Sequence, residues 1–193
     1  MRRLRRANPG AVILFEDETT LRWFPPLRGM WARRGEQARV PITGRNAKRV
    51  LFGTINMRTG HRILLRRPQG RQADFQAFLR LLRRRYGGRR IYLLLDKGPC
   101  HDTKGSRATA AELEIELVWL PKQWSELNAM DQLWRELKRL IAANRQAASV
   151  DALASDAADW VLGLTPQQAR RKAGMTSKHF WLRNLVEDFW LPT

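Results

Sequence analysis

The 193-residue sequence has a single cysteine, Cys100, and no long hydrophobic run. One cysteine excludes an internal disulfide framework and a cysteine-rich zinc module. A membrane-spanning helix needs roughly 18–20 consecutive apolar residues, and no segment approaches that length. The basic start of the chain is followed only by the short apolar segment 11–15, which is too short for a secretory signal. The sequence therefore predicts a globular, cytoplasmic protein that does not enter a membrane.

Acidic residues are also scarce, with 18 Asp+Glu against 36 Lys+Arg and a formal net charge of +18. Such a charge favours a polyanionic partner, because each phosphate that a basic side chain neutralises releases condensed counterions. The alternative is ordinary solvated charge in a protein from a GC-rich genome. A GC-rich genome favours arginine codons and so explains arginine in place of lysine, but it does not explain a twofold excess of basic over acidic residues. Eight Trp and seven Phe exclude a disordered chain.

Hydrophobic periodicity predicts an α/β fold, a mixed central sheet flanked by helices. Strands are predicted at 11–15, 50–56, 62–66, 91–95 and 115–120, and helices at 75–86, 104–113, 126–144, 150–162 and 177–190. Residues 91–95 are apolar on both faces, which is typical of a central parallel strand. We predict a basic tail at 1–10, a main domain at 11–145, and a helical extension at 146–193 that packs on the same domain.

Three acids stand out by their positions. Asp17 and Asp96 each follow a predicted strand, where sites in α/β sheets form, and Asp131 lies in the first turn of the predicted helix 126–144. Carboxylates that converge in this way could bind Mg²⁺ or Mn²⁺, and two such ions about 4 Å apart support phosphoryl transfer. From spacing alone a strand end, a turn cap and a helix-dipole contact explain the three acids better than a metal site does.

Two neighbouring groups are not predicted to bind metal. Glu16 and Glu18 flank Asp17 along an extended chain, so their side chains should point to the opposite face of the sheet. Cys100 and His101 lack partner ligands in the surrounding sequence, and no zinc site is predicted there.

Four strings of the sequence resemble the catalytic domain of mariner-type transposases, including the bacterial insertion-sequence branch, over roughly residues 11–145. They are Phe-Glu-Asp-Glu-Thr at 15–19, Gly-Met-Trp-Ala-Arg-Arg-Gly at 29–35, Leu-Asp followed by His at 95–101, and Leu-Pro followed by Glu-Leu-Asn-Ala-Met-Asp-Gln-Leu-Trp at 120–134. Asp96 and Asp131 are 35 positions apart, the spacing of mariner enzymes with Asp as the third acid.

The resemblance implies an RNase H-like fold in which Asp17, Asp96 and Asp131 bind two Mg²⁺ (or Mn²⁺) ions. It implies an endonuclease that nicks DNA at transposon ends and transfers the strand to target DNA, acting as a homodimer on DNA in the bacterial cytoplasm, associated with the nucleoid. His101 matches the family's histidine and is expected to be auxiliary. The residues expected to contact DNA are Lys97, Arg33, Arg34 and Lys122.

The sequence departs from the family pattern at several places. Lys97 stands where the family has Asn, and residues 122–125 replace the usual Pro-Tyr-Ser-Pro. The first predicted strand begins about ten residues into the chain, without the family's N-terminal helix-turn-helix region. The chain could be the second reading frame of a split transposase, a catalytic fragment, or a degenerate or domesticated remnant, and a separate helix-turn-helix polypeptide or frame could recognise the transposon ends. Two alternatives remain, a catalytically inactive or domesticated nucleic-acid-binding remnant and an RNase H-like nuclease. The three intact acids favour an enzyme over the first, and the string at 120–134 favours a transposase over the second.

Overall fold

A five-stranded mixed sheet forms the centre of the molecule. The computed structural model describes residues 10–183 except Met30, Ala38, Pro41, 43–45, Gln123 and Arg145. The strands are β1 (Val12–Arg22), β2 (Lys48–Asn56), β3 (Arg62–Arg67), β4 (Ile91–Leu95) and β5 (Ile115–Trp119). They lie in the order β3-β2-β1-β4-β5; β1 is parallel to β4 and antiparallel to β2, and β4 is parallel to β5. The predicted mixed sheet and the central, fully buried strand β4 are thus confirmed.

Strand β1 is longer than predicted. We expected it to end at Phe15, but it continues through the acidic residues to Arg22. Its pairing with β2 runs on without a break to the pair Arg22 and Lys48, and Thr19 and Leu21 are buried. The hydrogen bonds to β2 therefore extend the strand past the end of its apolar run, and Asp17 lies within β1 rather than beyond it.

Helices cover both faces of the sheet. Helices α1 (Gln72–Tyr86) and α2 (Lys104–Glu112) lie on one face, and α3 (Ala129–Leu137), α4 (Val150–Gly163) and α5 (Pro166–Lys172) lie on the other. Alternate residues of β1 enter the two hydrophobic cores, Val12 and Leu14 under α1 and Ile13 and Phe15 under α3. This alternation decides which acidic side chains of β1 can reach the same cavity. No helix in the described part of the chain has the length and apolar character to span a bilayer.

The prediction of a single helix at 126–144 is wrong. A 3₁₀ turn at Ser125–Leu127 comes first, α3 begins at Ala129, and a π-helical turn follows at Lys138–Ala142. Asn128 separates the first two because its extended backbone caps α3, and its side chain accepts a hydrogen bond from the Met130 amide at 3.0 Å. An asparagine side chain that hydrogen-bonds to a nearby backbone amide replaces a helical hydrogen bond, so the helix starts after it instead of running through it.

The C-terminal segment packs on the α3 face. The described part of the predicted helix 177–190 consists of turns up to Leu182, and Leu185, Phe189 and Trp190 lie outside the described residues. Phe180 and Trp181 contact Phe15 edge-to-face, with ring centroids 6.0 and 6.3 Å apart. These two aromatic residues therefore cover the core next to the strand that carries Asp17.

The described residues between Trp23 and Ala47 form an irregular arm beside the sheet. The Trp23 indole nitrogen donates to the Ala147 carbonyl at 2.8 Å, and the Arg28 amide donates to the Asn144 side chain at 2.7 Å. Trp31, farther along the arm, is fully exposed. The arm is thus fixed at its base, while its aromatic tip faces solvent.

Candidate active site

Asp17 lies in β1, and Asp96 directly follows the neighbouring parallel strand β4. Phe15 of β1 pairs with Leu94 of β4, and each of the two acids comes two residues later in its strand direction. Parallel strands keep their register, so the two carboxylates leave the sheet at the same level. The strand pairing therefore brings the two acids next to each other.

Asp131 is brought to the same place by the start of α3. The Asn128 side chain donates to the Glu16 carbonyl at 2.7 Å while it caps the helix, and Asn128 is buried. This contact attaches the first turn of α3 to β1 one residue before Asp17. It fixes the helix origin, and with it the position of Asp131.

Gly53 allows α3 to lie close to the sheet. In β2 this residue is paired with Asp17, and a Cβ atom here would lie 2.6 Å from Met130 Cε and 2.6 Å from Trp134 Cζ2. A side chain at this position would therefore push the helix outward, together with Asp131.

The three acids line one open cavity of about 310 Å³. The other residues around it are Lys97, Leu120, Pro121, Lys122, Trp124, Ser125 and Asn128. Within the described chain the three carboxylates do not all approach within 4.8 Å of one another. Carboxylate oxygens are the ligands that hard divalent cations such as Mg²⁺ and Mn²⁺ prefer, so the donor set of the cavity fits such ions.

The electrostatics of Asp17 point to unbalanced negative charge. Burial, followed by repulsion from Glu18, Asp131 and Asp96, raises the pKa of Asp17 to about 8. A nearby divalent cation would favour the ionised form and reverse this shift. Asp96 behaves differently, because hydrogen bonds from His101 and from the Gly98 amide lower its pKa.

Asp131 already has a cationic neighbour. Arg135, one turn along α3, places its guanidinium nitrogen 2.7 Å from Asp131 Oδ2. The Asp131 side chain is 24% exposed, and that of Arg135 is 55% exposed. The arginine can therefore swing into solvent when a metal ion competes for this oxygen.

His101 lies behind the cavity and is completely buried. Its Nδ1 atom is 3.0 Å from Asp96 Oδ1, and its ring packs on Phe75 with centroids 4.6 Å apart. Burial by itself would lower the pKa of His101, but attraction to Glu16 and the hydrogen bond to Asp96 outweigh it and raise the pKa strongly. His101 thus contacts one of the three acids from the side away from the cavity.

The residues predicted to contact DNA occupy two places. Lys97 and Lys122 line the cavity, and the Lys97 ammonium lies 5.8 Å from the centre of the Trp119 ring. Arg33 and Arg34 are exposed on the arm and do not line the cavity. The structure therefore separates a pair of lysines at the acids from a pair of arginines at a distance.

Sequence reasoning gave no role to Asn128, Gly53 or Glu16. Asn128 carried a usable signal, because Asn before an apolar periodic segment is a common N-cap. The close approach at Gly53 and the burial of Glu16 depend on tertiary packing, which periodicity does not encode.

Comparison with known proteins gives the class of this chain. The family model described as DDE superfamily endonuclease matches residues 12–154, and the chain belongs to this family. The five-stranded sheet with helices on both faces is the RNase H-like fold that the mariner resemblance implied.

The relatives are insertion-element and mariner proteins. An insertion element IS630 uncharacterized 39 kDa protein of Shigella sonnei is 26% identical over 140 residues, 72% of this chain and 41% of that protein. The Mos1 transposase paired-end complex with the left transposon end aligns at a TM-score of 0.68 and 18% identity, over 97% of this chain and 58% of that one. The Mos1 mariner transposase catalytic domain aligns at a TM-score of 0.63 and 15% identity, over 100% of this chain and 89% of that one. The chain thus spans well under two thirds of the first two proteins.

Proposed function

We propose that this chain is a transposase catalytic domain that nicks DNA at transposon ends and joins the freed 3′-hydroxyl to target DNA. The observation that carries the proposal is the convergence of Asp17, Asp96 and Asp131, from three separate elements, on one cavity bordered by two lysines. Support also comes from the DDE endonuclease family and from the structural likeness to Mos1.

In this proposal the acids hold two Mg²⁺ or Mn²⁺ ions, as Mos1 complexes solved with each of these metals suggest by analogy. Bound ions of this kind would activate the attacking oxygen and stabilise the leaving oxygen. Asp17 is held by its pairing with Gly53 of β2, and Asp96 is held by hydrogen bonds from His101 and from the Gly98 amide. Asp131 is the adjustable ligand, because its oxygen is shared with the exposed Arg135.

The proposed substrate is DNA, held mainly through its phosphates. Lys97 and Lys122 would contact the phosphates next to the scissile bond, and Arg33 and Arg34 would contact the flanking duplex. With about six phosphates contacted, log K should fall with log salt at a slope of about −5. We further propose that two copies act together on DNA in the nucleoid and that a separate helix-turn-helix polypeptide or frame recognises the ends.

A plasmid-nicking gel with this chain tests the proposal. We expect Mg²⁺- or Mn²⁺-dependent nicks in wild-type protein and none in Asp96→Asn. Salt-sensitive DNA binding without nicking under either metal would favour the inactive remnant, and cleavage restricted to RNA–DNA hybrids would favour the RNase H-like nuclease.

A further inference from the structure

A second cluster of metal-binding side chains lies on the opposite face of β1, under α1. It consists of Glu16, Glu18, Cys100 and His101, and we call it the rear cluster. Glu16 and His101 have no exposed surface, Cys100 is 4% exposed and the Glu18 side chain is 27% exposed. The cluster is therefore closed except on the side of Glu18.

Two carboxylates meet one histidine nitrogen in this cluster. His101 Nε2 is 3.1 Å from Glu18 Oε2 and 3.4 Å from Glu16 Oε2. Neither oxygen lies in line for a hydrogen bond with the ring nitrogen, and both oxygens of the buried Glu16 lack a hydrogen-bond donor. Buried carboxylates are stable only when they are paired or coordinate a metal, and the single charge of one imidazolium can balance only one of these two glutamates, so the arrangement favours a cation between these atoms.

The other ring nitrogen of His101, Nδ1, faces a carboxylate, as the second nitrogen of a metal-binding histidine commonly does. Nδ1 lies 3.0 Å from Asp96 Oδ1 and 3.2 Å from the Asp96 carbonyl oxygen, and both of these atoms are acceptors. When a metal ion displaces the proton of Nε2, the proton on Nδ1 stays with Asp96 and the lone pair of Nε2 points toward the two glutamates. Histidine ligands commonly donate their second N–H to a carboxylate, which fixes the tautomer and the ring orientation.

The spacing of the donors fits a tetrahedral ion. Bond lengths of about 2.0 Å to N or O and about 2.3 Å to S give donor–donor distances of about 3.3–3.6 Å. The two measured N···O distances, 3.1 and 3.4 Å, are close to this range. Donor atoms of Glu18, Cys100 and His101 all lie within 4.8 Å of one another, so side-chain rotation alone can bring the sulfur into contact.

We infer that the rear cluster binds one zinc-class ion through Glu16, Glu18, Cys100 and His101. Thiolate and imidazole ligands favour Zn²⁺ or Co²⁺ over Mg²⁺, which distinguishes this site from the all-oxygen cavity on the other face. Binding forms a metal–sulfur and a metal–nitrogen bond and releases the thiol proton and the proton of His101 Nε2 to solvent. The ion would hold β1 to the loop after β4, and through His101 it would fix Asp96. This inference does not depend on the proposed transposase activity.

Co²⁺ binding to the untagged full chain tests the site. Cys100 is the single cysteine of the sequence, so a thiolate-to-cobalt absorption band can arise only from this site. We expect a near-ultraviolet charge-transfer band that saturates at one Co²⁺ per chain, is displaced by Zn²⁺ and persists in excess Mg²⁺. Wild-type protein without this band overturns the inference and leaves the cluster as an ion-pair network held by protons.

A pair of adjacent substitutions provides the control. Glu16→Gln and Asp17→Asn each remove one carboxylate charge from neighbouring positions of β1 whose side chains leave on opposite faces. Glu16→Gln should weaken Co²⁺ binding at least tenfold, Cys100→Ser should abolish the absorption band, and Asp17→Asn should leave both unchanged. Equal weakening by Glu16→Gln and Asp17→Asn, with circular dichroism showing folded proteins, would contradict the assignment.

Discussion

The two faces of β1 carry the same type of side chain in opposite surroundings. Asp17 reaches an open cavity with oxygen ligands and lysines, whereas Glu16, one residue earlier, reaches a closed space with a thiol and an imidazole. Burial raises the pKa of both carboxyls, and of Glu16 despite its attraction to His101. The difference shows that acidic sequence alone does not define a site, because strand alternation assigns neighbouring carboxylates to different chemistry. The open face suits exchangeable ions and a large substrate, and the closed face suits an ion that stays bound.

The largest expected effect comes from the open face. Asp17→Asn, Asp96→Asn and Asp131→Asn should each reduce nicking by roughly 10³-fold or more, because ligands of a shared metal site act as a unit. DNA affinity, measured by fluorescence anisotropy, should change little. Mg²⁺-dependent cleavage that survives in Asp96→Asn would remove this cavity from consideration.

His101 joins the two faces, and two amide variants separate its contacts. The Asn nitrogen lies near the place of Nδ1 and can still donate to Asp96, whereas the Gln nitrogen lies near the place of Nε2. Loss of a residue that orients a metal ligand costs about 10–100-fold. We expect His101→Gln to show this loss and to need more Mg²⁺ for half-maximal nicking, and His101→Asn to be less affected. Equal losses at equal stability would make His101 a packing residue only.

Because α3 lies close to the sheet at Gly53, a substitution there should have a smaller effect on nicking than the loss of an acid. Gly53→Ala places a methyl group 2.6 Å from Met130 and Trp134 and should lower the free energy of unfolding by about 1–3 kcal/mol. Nicking should fall as well, because the shifted helix carries Asp131. Gly163→Ala is the matched control, since no heavy atom lies within 4 Å of its added carbon. Similar denaturation midpoints for the two variants would contradict the packing argument.

The raised pKa of Asp17 predicts a pH effect on stability in EDTA. Below its usual pKa of 3.8 the carboxyl is protonated in both states, and above about 8 it is ionised in both. Between these values Asp17 is ionised in the unfolded chain but protonated in the folded protein. Ionisation therefore stabilises the unfolded chain, and the stability of wild-type protein relative to Asp17→Asn should fall as the pH rises. Urea denaturation at pH 4.5 and 8 measures the difference, and Mg²⁺ should reduce it. A difference that is constant with pH would show that Asp17 is well solvated.

Much of the fold could be predicted because its signals are local. Strand β4 is apolar on both faces, and α5 begins at a local signal, a Thr165 cap followed by Pro166 at the first helical position. The alternation of side chains along β1 also predicted that Glu16 and Glu18 point to the face opposite Asp17, and their contacts with His101 lie on that face.

The errors arose where tertiary contacts override local pattern. Pairing with β2 carried β1 past Phe15, and the bond from Asn128 to the Glu16 carbonyl ended the apparent helix at 126–128. The rear cluster was missed for the same reason. Glu16 and Cys100 are 84 positions apart in the sequence, and only the pairing of β1 with β4 brings them together.

Lys97 gives the smallest expected effect and the finest test of the open face. It replaces the family's Asn directly after Asp96, and its ammonium lies over the Trp119 ring at 5.8 Å. An ammonium held on an aromatic face at the cavity rim can contact a phosphate without occupying a metal-binding oxygen. Lys97→Ala should therefore weaken DNA binding by about two- to tenfold and reduce the salt slope by about 1, with an unchanged Mg²⁺ requirement. Lys97→Arg, which keeps both the charge and the ring contact, should bind normally. If Lys97→Asn instead starts cleavage in an otherwise inert protein, the lysine is an inactivating substitution and the chain is a remnant.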